Sequence, residues 1–447
     1  MTSRAVTLFE HQFIPYDRLD ETALNASKQA AARREQTLSE IERLNAAAGR
    51  EILRLERKGL RAMSVVGVLR VGDLNLEILP KIDYPIDDLN GQPETAAAQN
   101  LLTMLAYAYD LPLIEKVLAG VGTHKSGWFD LLTRLFVTQL HREVLSGLPQ
   151  GYLTTRDSLP TLRGRWDVQR QIQRSGQPRH TFEVVYDEYS VDIPLNQVFR
   201  CVLEQLDPLT GDAATRQMVS DLRKWFEPVT LLPQITSTLV EGITFNRLNE
   251  RFRSAFNLAR LFLAGEIIQL SHGSLQVAAF LVDMNVLFEK FVAAFIERHR
   301  AAILPPDWHN VTLRNQAKGM NLFLARAEAR GVLRLRPDLL FLQPGQAVPL
   351  LVADTKYKIL NPVPSSLSAD PGDFYQMLAY AVRLKCPRGL LIYPQTSEHP
   401  PALRRFIIET TEYCVIIATI DLHTQLDLPG ALIAEMRAMF DQVLSVS

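Results

Sequence analysis

Two apolar stretches near the C-terminal end, Leu333–Leu342 and Val348–Ile359, are rich in Leu and Val and separated by a Pro344-Gly345 turn signal. They predict two strands paired as a hairpin. With residues 343–349 as the loop, bracketed by Pro344 and Pro349, Asp338 lies opposite Asp354. On the second strand Asp354 and Lys356 are two apart and share a face, with Thr355 pointing to the other. The run Leu350-Leu351-Val352-Ala353 before them reads as a buried core strand. Downstream, Asp370-Pro371-Gly372-Asp373 predicts a helix start, with Asp as N-cap and Pro at the first helical position. That helix runs through Phe374–Tyr380 and stops before Pro387, and a buried strand follows at Gly389–Pro394. Gln376 and Tyr380, four apart, share one helical face. Upstream, Leu281–Val292 predicts an apolar helix whose stripe is Met284, Leu287, Phe288, Phe291 and Phe295. Glu289 falls outside the stripe, on a flank with Val292 and Ile296.

The rest of the chain divides coarsely. Residues 1–90 predict a strand (Val6–Phe13), a helical stretch (Glu21–Asn45) and a hairpin, Val65–Val71 with Leu74–Leu79 about a Gly72-Asp73 turn. A linker with two prolines, Asp83–Thr95, follows. Residues 96–270 read as mainly helical: Ala96–Tyr109, Phe129–Leu145, Pro194–Leu206, Ala213–Phe226 and Leu248–Leu270. Residues 275–447 form the region described first, closing with a strand at Cys414–Asp421 and a helix at Ala431–Val446. The expected class is α+β and multidomain, with a β-rich N-terminal region, a helical middle region and a mixed C-terminal sheet flanked by helices.

Asp338, Asp354 and Lys356 bring two carboxylates and an ammonium to one spot. Hard oxygen ligands suit a divalent cation such as Mg²⁺, or Mn²⁺, and no Cys or His cluster nearby favours zinc. A strand-borne Asp/Lys pair can also be a solvated cross-strand ion pair, but the buried run before Asp354 argues against that, because charges are seldom aimed inward without a use. The motif resembles the PD-(D/E)xK phosphodiesterase signature, and the Gln376/Tyr380 pair resembles the RecB-like branch of that superfamily. Further strings carry a narrower likeness: Asp283-Met284-Asn285 with Leu287-Phe288-Glu289, Pro337-Asp338, Asp354-Thr355-Lys356-Tyr357-Lys358 and Gln376-Met377-Leu378-Ala379-Tyr380. So do Glu77–Ile82, Leu101–Leu105, Leu162–Arg165, Tyr186–Ser190 and Pro194-Leu195-Asn196. Over roughly residues 65–445 the chain resembles the McrC family, the nuclease subunit of 5-methylcytosine-dependent restriction systems. The resemblance implies a DNA endonuclease partnered by a McrB-like AAA+ GTPase that docks on residues 1–270. It implies that Asp338 and Asp354 hold the ion, that the Thr355 carbonyl and Glu289 are further ligands, and that Lys356, Gln376 and Tyr380 serve catalysis. Two alternatives stay open: a non-catalytic module that activates a GTPase, and a stand-alone repair exonuclease. Residues 1–60 match nothing.

Charge and composition add constraints. With 48 Lys plus Arg against 49 Asp plus Glu, the net charge is −1, so strong DNA affinity requires local basic clusters or a partner. The three cysteines, Cys201, Cys386 and Cys414, are too scattered for a zinc ribbon or disulfide framework. The start lacks a long apolar core and no run suits a bilayer span, so a cytoplasmic protein without membrane attachment is expected. Gly120–Ser126 imitates a phosphate loop, but His124 stands where glycine is required before Lys125, which excludes nucleotide hydrolysis by that motif.

Overall fold

The computed structural model describes residues 5–16, 28–71, 74–81, 93–111, 127–173, 180–272, 275–315, 320–325, 330–360, 369–395, 401–409, 411–424 and 426–444. The chain is α+β and multidomain, with several sheets. It groups into two compact units, one formed by Met1–Trp128 with Ile268–Ser447 and the other by Phe129–Ile267. The first unit joins distant segments because the strand Leu275–Val282 pairs antiparallel with Val66–Val71. Val66–Val71 pairs in turn with Leu74–Leu79, which runs parallel to Ala5–Phe9. Gly67 permits this: a Cβ there would sit 2.1 Å from the Phe280 carbonyl oxygen. The Gly72-Asp73 turn and most of the linker at 83–95 lie outside the described residues.

A six-stranded mixed sheet forms the other half of this unit, in the order Thr312–Asn315, Leu339–Leu342, Leu351–Thr355, Arg388–Pro394, Cys414–Ile420, Leu403–Ile407. Leu339–Leu342 and Leu351–Thr355 pair antiparallel, as the hairpin reading requires. The three strands from Leu351–Thr355 to Cys414–Ile420 run parallel. Parallel neighbours need a crossover; between Leu351–Thr355 and Arg388–Pro394 it includes the helix Pro371–Leu384. That helix covers one sheet face, where Val352, Leu391, Tyr393, Val415 and Ile417 pack with Met377 and Tyr380. On the Leu339–Leu342 strand, Phe341 meets Phe440 of the helix Gly430–Leu444, their ring centres 5.6 Å apart. Central strands covered on both sides explain the continuous apolar runs.

Several elements depart from the expectation. Leu333–Leu342 is not one strand: Arg330–Leu335 ends before Arg336-Pro337-Asp338, where proline cannot continue a ladder, and Leu339–Leu342 begins afterwards. Leu281 and Val282 belong to a strand, and the helix Met284–Arg298 starts beyond Asp283, whose side chain caps it. The Leu248–Leu270 helix is shorter, Arg253–Ala264, because Gly265 terminates it and the chain leaves as the strand Glu266–His272. The middle region also holds a sheet: Gly151–Leu159 and Arg165–Trp166 both pair with Phe182–Ser190. Its helices Trp128–Val144, Pro194–Leu206 and Ala213–Trp225 follow the periodicity. They gather Phe136, Phe199, Phe226, Phe252 and Phe262 into ring contacts.

Glycine at position 389 lets the helix Pro371–Leu384 rest directly on the sheet. A Cβ there would stand 2.5 Å from Met377 Cγ and 2.6 Å from its sulfur, and Met377 is fully buried. Gly389→Ala should therefore destabilise the chain by roughly 1–3 kcal/mol through overpacking. Pairing it with Met377→Ala should cost less than the two single changes summed, read by urea unfolding. Strict additivity would contradict the contact.

Candidate active site

The strand Leu351–Thr355 is buried along its whole length. It delivers Asp354 and, one step past its end, Lys356 to the C-terminal edge of the parallel strands. Asp354 has the parity of Val352, so it faces the helix Pro371–Leu384. The pairing of Leu339 with Ala353 continues to Asp338 opposite Asp354. Asp338 lies in the Pro337 break just before its strand. Its Oδ2 accepts hydrogen bonds from the Thr355 backbone N–H at 2.7 Å and from the Thr355 hydroxyl at 2.8 Å. Thr355 therefore stays in the site instead of pointing away, because Asp338 precedes its strand and is not held to the pleat.

Lys356 Nζ approaches Asp354 Oδ2 to 2.6 Å. The contact is an ion pair without hydrogen-bond alignment, and Asp354 Oδ2 is otherwise buried with no hydrogen-bond partner. The ammonium instead donates to Gln376 Oε1 at 2.9 Å, and Gln376 Nε2 donates to the Tyr380 hydroxyl at 2.6 Å. The structure thus brings Asp338, Asp354, Thr355, Lys356, Gln376 and Tyr380 together. Glu289 sits half-buried on the helix Met284–Arg298, which packs against the same strand. Among the described residues no three or more His, Cys, Asp or Glu side chains form a group able to hold a metal ion, so Glu289 does not join the two aspartates in one.

Three neighbours escaped the sequence reading. Asp373, buried in the first turn of the helix, accepts from the Tyr393 hydroxyl at 2.9 Å. Both its carboxylate oxygens also receive Lys358 Nζ at 3.0 Å, and one lies 3.9 Å from Lys356 Nζ. The helix-start motif hid Asp373, since its two acids suggest capping alone; only Asp370 caps, accepting from the Gly372 N–H at 2.8 Å. Lys358 repeats the two-residue spacing of Asp354 and Lys356, which was the available signal.

Burial, and then the Asp338 charge beside it, push the Asp354 carboxyl up to about 7, although Lys356 opposes both. Burial also raises Asp338 against the two Thr355 hydrogen bonds. Burial and then the Asp354 charge lift the Tyr380 phenol well above its ordinary range, so Tyr380 is a neutral hydrogen-bonding group. Two adjacent buried carboxylates that share a single nearby ammonium, Lys356, carry more negative charge than the chain offsets, and such a pair fits a divalent cation. Oxygen donors of this kind suit Mg²⁺ or Mn²⁺.

A profile of the McrBC 5-methylcytosine restriction system component family matches residues 60–394. The chain belongs to this McrBC family. All the site residues fall inside the matched span. No curated protein matches the chain. Among solved structures, it is similar to a chain of the half-complex from a tetradecameric assembly of Thermococcus gammatolerans McrB AAA+ hexamers with bound McrC. The identity is 21%, the coverage is 98% of this chain and 100% of the other, and the TM-score is 0.60. A chain of the Thermococcus gammatolerans McrBC complex aligns at 23% identity over 66% of this chain and 88% of its own, with a TM-score of 0.45.

The raised Asp354 pKa sets a sign. Folded Asp354 keeps its proton up to about pH 7, whereas the ordinary value is 3.8, so this group favours the native state in acid. That contribution is lost as pH rises from the unfolded value to the folded one. Asp354→Asn should therefore stabilise the metal-free McrBC-family chain at about pH 8, by roughly 1–2 kcal/mol, and do little at about pH 4. Urea unfolding at both pH values checks it; an Asn variant weaker than the parent at the higher pH would contradict the strained carboxylate.

Proposed function

We propose that this McrBC-family chain is the DNA endonuclease subunit of a modification-dependent restriction complex, hydrolysing phosphodiester bonds with Mg²⁺ or Mn²⁺. In this reading the six-stranded sheet and its helices are a PD-(D/E)xK nuclease domain. The observation that carries the reading is the buried Asp354 carboxylate, facing Asp338 at the edge of the parallel strands, with Lys356 the one ion-pair partner of its oxygens among the described residues. Asp338 and Asp354 would hold the ion, with the Thr355 carbonyl as a further donor; Glu289 is left out of the set. When bound, such a cation supplies charge neutralisation on the phosphate and acidifies a water.

The chain's own groups supply the rest. The Thr355 N–H and hydroxyl fix Asp338 Oδ2. Gln376 anchors the Lys356 ammonium, which would orient the attacking water and offset charge developing on the phosphate. The Tyr380 hydroxyl in turn fixes the Gln376 amide so that its oxygen faces the lysine. Asp373 is already engaged by Tyr393 and Lys358, which limits its hold on Lys356. A net charge of −1 supplies no general attraction to DNA, so affinity would come from local basic groups and from the partner. Family membership, and the AAA+ hexamers with bound McrC in the Thermococcus assembly, support a McrB-like AAA+ partner; residues 1–270 would dock it.

Asp354→Ala and Lys356→Ala should each lower DNA cleavage by about a thousandfold or more while leaving a folded chain. EDTA should stop the unaltered enzyme and Mg²⁺ should restore it. Near-parental cleavage by folded Asp354→Ala would overturn the assignment. With the AAA+ protein added, Asp354→Ala should still raise GTP turnover as the parent does. A loss of stimulation equal to the loss of cleavage would count against a docking surface separate from the catalytic site.

A further inference from the structure

The residues that follow Lys356 line an open cleft of about 360 Å³. Its floor is Tyr357, which is 6% exposed and donates its hydroxyl to Glu10 Oε2 at 3.2 Å. Glu10 Oε2 also accepts the Lys81 backbone N–H at 2.9 Å, so the floor is tied to the N-terminal strands. Around it stand three cationic side chains, Arg50, Lys81 and Lys358, with the polar Ser64 and Asn285 between them. Lys81 Nζ lies 5.3 Å from the Tyr357 ring centre, and among the described residues no carboxylate is within ion-pairing distance of it.

Two acids also line the cleft, and both are engaged internally. Asp283 Oδ1 caps its helix, accepting from the N–H groups of Asn285 at 2.9 Å and Val286 at 3.4 Å. Glu10 is buried beneath Tyr357, and that burial raises its pKa, which favours the neutral form. With Lys358 taken up by Asp370 and Asp373, the remaining cations of the wall are Lys81 and Arg50, with the Asp283 carboxylate beside them. Its link to the catalytic groups is short. Lys358 Nζ holds both oxygens of Asp373, and Asp373 lies 3.9 Å from Lys356 Nζ.

We propose that this cleft is a subsite for a second phosphodiester of the DNA strand, adjacent to the one cleaved, gripped by Lys81 and Arg50. The inference rests on the nuclease reading and deepens it. The backbone phosphate is the group every DNA sequence offers, and a pair of cations above a rigid aromatic floor holds it without reading a base. The subsite gives residues 1–81 a part in substrate binding, through Arg50, Lys81 and the Glu10 tie.

The test uses the full chain, a fluorescent duplex oligonucleotide, EDTA to prevent cleavage, and anisotropy across a salt series. Lys81→Gln and Arg50→Gln each alter a solvent-reaching side chain. Lys224→Gln, whose lysine pairs with Asp221 and is not among the residues lining the cleft, serves as control. Each cleft variant should bind about 3–10-fold more weakly at low salt, with the slope of log affinity against log salt reduced by about 1, and the control should match the parent. Cleft variants that match the control in affinity and slope would overturn the subsite, as would a parent chain that binds no duplex even at low salt. The nuclease reading is judged separately, by metal-dependent cleavage and its loss in Asp354→Ala. A chain that cleaves normally while its cleft variants bind like the control loses only the subsite.

Discussion

The site is organised by one costly act: a carboxylate is held in the interior at the end of a fully buried strand. Asp354 is 2% exposed, and an ionised group so placed needs charge or hydrogen-bond compensation. The chain supplies this incompletely. Lys356 approaches but is aligned on Gln376, and Asp338 adds a second negative charge. The Gly389 contact that seats the helix Pro371–Leu384, the Pro337 break that frees Asp338 from its strand, and the Gln376–Tyr380 bond all serve to fix groups around that carboxylate. Native structures tolerate such strain at functional positions and offset it elsewhere in the fold.

The juxtaposition of Asp338 and Asp354 was legible because it depends on short-range geometry. Pro344 and Pro349 bracket the turn, and the loop length then sets Asp338 against Asp354, the register the strands adopt. The two-residue period carries Lys356 to the same side, and the four-residue period carries Gln376 to Tyr380. Features set by tertiary contacts were not legible. Thr355 turns toward Asp338 because a residue outside the strand escapes the alternation rule. Asp373 is buried by Tyr393 and Lys358, which come from two separate segments, and the local motif announces only a helix cap. The sheet at 151–190 was missed because its strands carry many exposed residues and no clean apolar alternation.

The larger organisation turns on Leu275–Val282. The periodicity assigns its last two residues, Leu281 and Val282, to a helix, and their place in a strand has wide consequences. As a strand against Val66–Val71, it binds the beginning of the chain to the segment that leads into the six-stranded sheet, so the N-terminal strands and the Asp354 region share one unit. The Tyr357–Glu10 hydrogen bond, between residues 347 positions apart, is a second tie of this kind, placed one residue beyond Lys356.

The central claim is that the Asp338–Asp354 pair is a seat for a divalent cation, which would resolve the unmet charge that burial creates. Anomalous diffraction from crystals soaked in Mn²⁺ tests this without any DNA, partner or turnover. The account predicts a manganese peak between the two carboxylates, with Asp354 Oδ2 among its ligands, and no such peak in Asp354→Asn crystals. A parent crystal whose only manganese lies elsewhere, with Asp354 still paired to Lys356, would contradict it.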